Sequence, residues 1–169
     1  TYIRSAVNGV RDAALIAAIL VMIATWFFLS GWKRVLIVFA TLPISLLFTF
    51  FIMKIAGYSF NILSLGGLII AITVILDNTV VVLENITRLQ EEGESDAVEK
   101  GADQVGPALT YATLTFLAIF LPFLMIPGLV SLLFHELIVL VSVAIAFSRI
   151  AASTITPMLA ADFYRSGHS

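Results

Sequence analysis

The chain has 169 residues, of which 60% are hydrophobic and 12% are charged, and its formal net charge is -2. Because a soluble domain carries about 25% charged residues, this composition and a mean hydropathy of +1.08 exclude a water-soluble globule. The nine Lys and Arg residues are too few and too scattered for a nucleic-acid-binding face. The chain contains no cysteine, which excludes disulfides and thiolate chemistry.

Long apolar runs predict an all-α fold, a polytopic transmembrane helical bundle of about five spans. A helix needs about 20 apolar residues to cross the hydrocarbon core of a bilayer. Pro43 lies inside the second run and predicts a kink rather than a break, since neighbouring helices can satisfy the carbonyl that it leaves without a donor. The five runs are 13–29, 35–55, 62–83, 108–126 and 136–161.

Between the third and fourth spans the composition changes abruptly at residues 88–105, a predicted cytoplasmic loop. It contains six carboxylates and two cations. Ser95 can cap a short amphipathic surface helix, in which Asp96 and Lys100 lie four residues apart with the acid first. Gly101 can end that helix.

The distribution of cations predicts the orientation in the membrane. Because cytoplasmic loops are enriched in Lys and Arg, the richer set of span ends is expected inside and the amino end outside. No cleavable signal pattern opens the chain, so an outside amino end predicts further sequence upstream. The richer ends carry Lys33, Arg34, Arg88, Lys100 and Arg165, and the others carry Arg4, Arg11 and Lys54.

Asp77 is the candidate for chemistry, because it lies about 15 residues into the third span. A mid-membrane carboxylate costs about 2.5 to 3.5 kcal/mol on insertion scales and usually marks a functional site. Asn78 is adjacent, and Glu84 follows on nearly the same helical face. A carboxyl group that alternates between an apolar site and a site beside a cation takes up and releases a proton. These residues therefore predict a proton relay, with a structural, hydrogen-bonded Asp77 and an interfacial Glu84 as the alternatives.

Arg149, in the fifth span, is the other residue that is costly in a membrane. If the third and fifth spans touch, Asp77 or Glu84 is its counter-charge and the relay includes Arg149. Otherwise Arg149 extends toward the cytoplasmic headgroups. Hydroxyls on the last two spans, such as Thr110 and Ser148, are expected to pack helices. No spacing of residues predicts a catalytic group, a metal site or a cofactor, so the chain is not expected to be an enzyme.

The string from Ile72 to Ile86 contains Asp77-Asn78 and then, after an apolar run, Glu84-Asn85. It resembles the fourth transmembrane helix of resistance-nodulation-division (RND) efflux transporters. Asn78 departs from the second Asp of their multidrug subgroup, and Thr73 departs from a glycine, which leaves the subgroup open. Similar residues elsewhere are Phe28-Leu29, Trp32-Lys33-Arg34, Pro43, Gly57 to Asn61, Ser64 to Gly67, Pro107, Pro122, Gly128, Phe134, Ser148 and Thr156-Pro157.

The resemblance implies that the five spans correspond to helices 2 to 6 of the first half of such a pump. The porter domains and the second repeat would lie outside these 169 residues. It further implies a multi-pass protein of the bacterial inner membrane that exports drugs or hydrophobic compounds by proton antiport, driven by the proton-motive force, with Asp77 binding the proton. The implied partners are membrane lipids, the remaining helices and porter domains, two further copies in a homotrimer, a periplasmic adaptor and an outer-membrane channel.

Three alternatives remain open beside drug export. Some relatives that export heavy metals manage with one Asp, so the first is a metal exporter of the same family. A five-helix unit also resembles the sterol-sensing domains of lipid-handling proteins, which would make the chain a non-transporting lipid-binding module. The third is a non-transporting remnant or a purely structural helical module.

Overall fold

The computed structural model describes residues 31–58 and 62–165 continuously, and it describes residues 12, 16, 19, 20, 23, 24, 26 and 27 individually. These individual positions are helical and exposed. Most of the first predicted span, 13–29, therefore lies outside the described residues. Side chains are not described at residues 62, 65, 129–133 and 164–165.

Five helices make up the continuous part, and the described residues include no β-strand. Among the described residues, four apolar segments are long enough to cross a membrane, namely Trp32–Ile55, Gly66–Glu91, Ala97–Met125 and Phe134–Phe163. The predicted all-α fold, a multi-pass membrane bundle, is confirmed. The helices are α1 (Trp32–Ile55), α2 (Ile62–Glu91), α3 (Ala97–Met125), α4 (Leu129–Ser153) and α5 (Ile155–Arg165).

Helix α2 is the centre of the bundle, because it contacts each of the other four helices. Its apolar face packs on α4. The buried cluster between the two helices includes Ile75 of α2 and Leu140 and Ile145 of α4, all fully buried. Nearer its carboxyl end, Leu83 and Ile86 join a second buried cluster with residues of α1, α3 and α5. The opposite face of α2 is exposed in the described bundle, and the polar side chains of Thr73, Asp77 and Glu84 lie on it.

The predicted loop 88–105 is wrong in extent, because α2 continues to Glu91 and α3 already begins at Ala97. Only residues 92–96 connect the two helices, with Gly93 at a φ of 83°. The charged residues belong mostly to helix ends that extend past the apolar core. The charged residues therefore indicate where a helix extends into water, and they do not indicate where the helix ends.

The separate amphipathic helix ending at Gly101 is also wrong, since α3 passes through Gly101 without interruption. Gly101 is buried where α3 crosses α2. A Cβ atom there would lie 2.7 Å from Ile86 Cγ1 and 2.8 Å from Ile86 Cα. Glycine is therefore required by the close approach of two helices and does not act as a helix terminator.

The fifth predicted span, 136–161, is divided in the structure at Thr154, between α4 and α5. Pro157 has no N–H to donate to the carbonyl of Ser153, and its ring clashes with that carbonyl in a continuous helix. The hydroxyls of Ser153 and Thr154 donate to the Ile150 carbonyl at 2.9 and 2.7 Å. Helix α5 then packs against the end of the bundle where α1 begins, and Lys33 Nζ donates to the Phe163 carbonyl at 3.2 Å.

Candidate functional site

One face of α2 carries the polar side chains that the sequence singles out. Thr73, Asp77, Glu84 and Arg88 are all exposed, and their spacing of four, seven and four residues keeps them on one side of a helix. We call Thr73, Asp77 and Glu84 the α2 polar face. Because the other side of α2 is occupied by α1, α3 and α4, the α2 polar face points out of the described bundle.

Neither Asp77 nor Glu84 has a hydrogen-bond or ion-pair partner among the described residues. Thr73 donates its hydroxyl to the Ile69 carbonyl at 3.1 Å, within its own helix. Arg88 is engaged at the end of α2, where it bonds Glu92 at 3.0 Å and Asn85 Oδ1 at 2.9 Å. Within residues 31–58 and 62–165, the two carboxylates are therefore presented outward without an ion pair, and Arg88, one helical turn from Glu84, bonds other residues.

Asn78 lies on a different side of α2 from Asp77. Its side chain is buried, and Nδ2 donates to Ser148 Oγ on α4 at 3.0 Å. Consecutive residues of a helix are turned by about 100°, so this contact with α4 holds α2 in the rotation that points Asp77 outward. The sequence grouped Asn78 with the relay residues, and the structure places its side chain in a contact with α4. Its partner Ser148 was expected only to pack helices.

Arg149 donates to α3 and not to a carboxylate. Its Nε donates to Thr110 Oγ1 at 2.9 Å, and its Nη2 donates to the Gly106 carbonyl at 3.1 Å. Thr110 Oγ1 in turn donates to the same Gly106 carbonyl at 2.9 Å. The expected pair of Arg149 with Asp77 or Glu84 is therefore not formed among the described residues. Ser148 and Arg149 are consecutive in α4, and the helical rotation between them directs the Ser148 side chain to α2 and the Arg149 side chain to α3.

Asn85 joins α2 to α3 near the connecting loop, a contact that was not predicted from the sequence. Its Nδ2 donates to the Gly101 carbonyl at 2.8 Å and to Gln104 Oε1 at 3.1 Å. The signal in the sequence for this contact was an amide side chain on one helix and a glycine on the next helix. The close approach at the glycine brings its backbone carbonyl within reach of the amide. This network fixes the end of α2 that carries Glu84.

The described residues include no group of three or more His, Cys, Asp or Glu side chains that could hold a metal ion. The features that remain are an outward acidic face on the central helix and two polar contacts that fix the orientation of that helix.

A protein-family model described as the AcrB/AcrD/AcrF family matches residues 1–169, the whole chain. The chain belongs to this family of RND efflux transporters. Multidrug resistance protein MdtC of Pectobacterium atrosepticum is 39% identical over 165 residues, which are 96% of this chain and 16% of that protein. The MdtC proteins of Yersinia enterocolitica and Yersinia pseudotuberculosis are 37% identical over 96% and 97% of this chain. The chain thus spans 16% of the length of these relatives.

Proposed function

We propose that the chain is part of the membrane domain of a multidrug exporter of the RND type, driven by the proton-motive force, and that Asp77 binds the coupling proton. The observation that carries the proposal is the position of Asp77. It lies within a long apolar helix, on a face that the described bundle leaves exposed, without a described partner. The multidrug names of the relatives favour drug export over the metal-exporting alternative.

The chemistry follows from what the exposed face of α2 could contact in a complete transporter. If a helix outside this chain brings a cation to Asp77, the carboxylate is stabilised and the proton leaves. If that cation moves away, the ionised carboxylate is too costly in an apolar site, and Asp77 takes up a proton. Alternation between these two arrangements couples proton passage to a movement of helices.

Each remaining residue of the predicted relay has its own part in this proposal. Glu84 lies about 10 Å along the helix axis from Asp77, at a rise of about 1.5 Å per residue, and offers a second carboxylate toward the predicted cytoplasmic side. Asn78 holds the rotation of α2 through Ser148. Arg149 stays bound to α3 and serves the relay only through the packing of α3 and α4.

The location and the partners of the complete transporter are part of the same proposal. Membership of the family supports a multi-pass protein of the bacterial inner membrane. We infer a homotrimer that exports through a periplasmic adaptor and an outer-membrane channel, with the loop 92–96 on the cytoplasmic side.

The test is drug export by the complete transporter carrying Asp77→Asn, which keeps the size of the side chain and removes its titration. Export in cells that lack other pumps is expected to fall to the level of the empty vector, while expression and membrane insertion stay normal. Glu99→Gln is the matched control, because Glu99 is an exposed carboxylate in the first turn of α3 and should leave export unchanged. Full export by the Asp77→Asn protein would refute the assignment.

A further inference from the structure

An open cavity of about 380 Å³ lies between α3 and α4, and no residue of the α2 polar face lines it. It is at the end of the bundle that carries Lys33 and Lys100, and the apolar part of α3 begins beside it. The two carboxylates of the proposed relay, Asp77 and Glu84, do not line it. Its polar lining comes from Asp103, Gly106, Thr110, Tyr111, Arg149 and Ser153.

Arg149 supplies a positive charge that is already held in place. A guanidinium group has five N–H donors, and two of them bond Thr110 and Gly106. The remaining donors have no acceptor among the described residues. Because the two bonds to α3 fix the planar group, little conformational entropy is lost when a further acceptor binds. A guanidinium with several available donors matches the oxygens of a phosphate group.

Asp103 supplies a negative charge to the same cavity without neutralising Arg149. It lines the cavity and is exposed, and it has no ion pair within the described part of the chain. The cavity therefore presents a cation and an anion at separate positions. A ligand that carries a phosphate and an ammonium group has the complementary arrangement, whereas a purely anionic ligand would be repelled by Asp103.

The surroundings of the cavity favour a lipid over a soluble phosphate. Further along α3, into its apolar part, Tyr111 is 70% exposed and Leu114 is 56% exposed. Tyrosine is enriched at the level of the headgroups, where its ring lies in the apolar region and its hydroxyl in the polar region. Acyl chains can lie along this surface while the headgroup occupies the cavity.

We propose that Arg149 and Asp103 form a binding site for the headgroup of an aminophospholipid, with the phosphate on the Arg149 guanidinium and the ammonium on the Asp103 carboxylate. Tyr111 and Thr110 border the phosphate position. The site would fix α3 against α4 at the membrane surface, and it does not depend on whether Asp77 carries a proton.

The test is lipid binding to the complete transporter, purified in mild detergent and measured by native mass spectrometry. Phosphatidylethanolamine and phosphatidylglycerol are titrated separately, and inorganic phosphate is added as a competitor. Arg149→Gln is expected to weaken the binding of both lipids about tenfold, the effect of losing one charge-assisted hydrogen bond. Asp103→Asn should weaken phosphatidylethanolamine about tenfold by the same reasoning and should strengthen or preserve the binding of phosphatidylglycerol.

A control variant and the choice of Asp103→Asn as the second test variant keep the outcome decisive. Lys100→Gln removes a cation from the same helix outside the cavity and should leave both lipids bound as before. Asp103→Asn changes an exposed residue, so its folding is secure even if Arg149→Gln disturbs the packing of α4. Equal binding of phosphatidylethanolamine by the wild-type and Asp103→Asn proteins would overturn the proposal. So would equal weakening by Lys100→Gln, or displacement of the lipid by inorganic phosphate.

Discussion

The crossing of α2 and α3 predicts that Gly101→Ala destabilises the bundle, although alanine is the better helix former. A Cβ atom at this position would lie 2.7 Å from Ile86 Cγ1, 2.8 Å from Ile86 Cα and 3.0 Å from Ile86 N. The Cα and N atoms belong to the backbone of α2, so no change of rotamer relieves the contact. The two helices must separate instead.

The magnitude follows from two opposing contributions. Overpacking a close contact costs about 1 to 3 kcal/mol, and replacing glycine by alanine inside a helix contributes up to about 1 kcal/mol in the other direction. Since the contact at Gly101 involves backbone atoms, we expect the overpacking cost near its upper limit. The expected net loss in the free energy of unfolding is about 1 to 2 kcal/mol, the difference between the two contributions.

Gly66→Ala is the matched control, because no atom of the described residues lies within 4 Å of the corresponding Cβ position and Gly66 is also inside a helix. Its expected effect is neutral or stabilising, by up to about 1 kcal/mol. The measurement is equilibrium unfolding of the complete transporter in mixtures of mild and denaturing detergent, with thermal melting as a second readout. If Gly101→Ala proves as stable as Gly66→Ala, the close approach of α2 and α3 is refuted.

Two further predictions concern the contacts that orient α2 and α4. A double-mutant cycle of Asn78→Ala and Ser148→Ala should give a coupling energy of about 0.5 to 1.5 kcal/mol, the range for hydrogen bonds between membrane helices, in the same unfolding assay; additive effects of the two substitutions would show that the bond is absent. Arg149→Gln should leave the proton titration of Asp77 unchanged, because Arg149 bonds Thr110 and Gly106; an altered titration in infrared difference spectra would restore Arg149 as the counter-charge of Asp77.

The sequence predicted the all-α membrane fold, because length and apolar composition directly reflect the requirement for crossing a membrane. The sequence did not predict where the helices α2 and α3 end and begin. The carboxylates after Arg88 indicated contact with water, but water can surround a helix as well as a loop. Gly101 suggested a boundary, whereas α3 continues through it. At Gly101 the reason is a neighbouring helix, which no local pattern reveals.

The site was predictable in its residues and only partly in its arrangement. Asp77 was identified because an ionised carboxylate in the middle of a membrane span is costly in free energy. Its outward direction depends on the rotation of α2, which the contact between Asn78 and Ser148 fixes. The partner of Arg149 depends in the same way on the rotation of α4. A prediction based on charge alone pairs Arg149 with the available carboxylates, but its neighbours on α3 are a hydroxyl and a backbone carbonyl.

The central claim, that Asp77 binds a proton, is tested most directly by infrared difference spectroscopy of the complete transporter in lipid vesicles as the pH is changed. The wild-type and Glu99→Gln proteins should both show a protonated carboxyl band that appears as the pH falls, and Asp77→Asn should remove that band. A spectrum of Asp77→Asn identical to the wild-type spectrum at every pH would contradict the account.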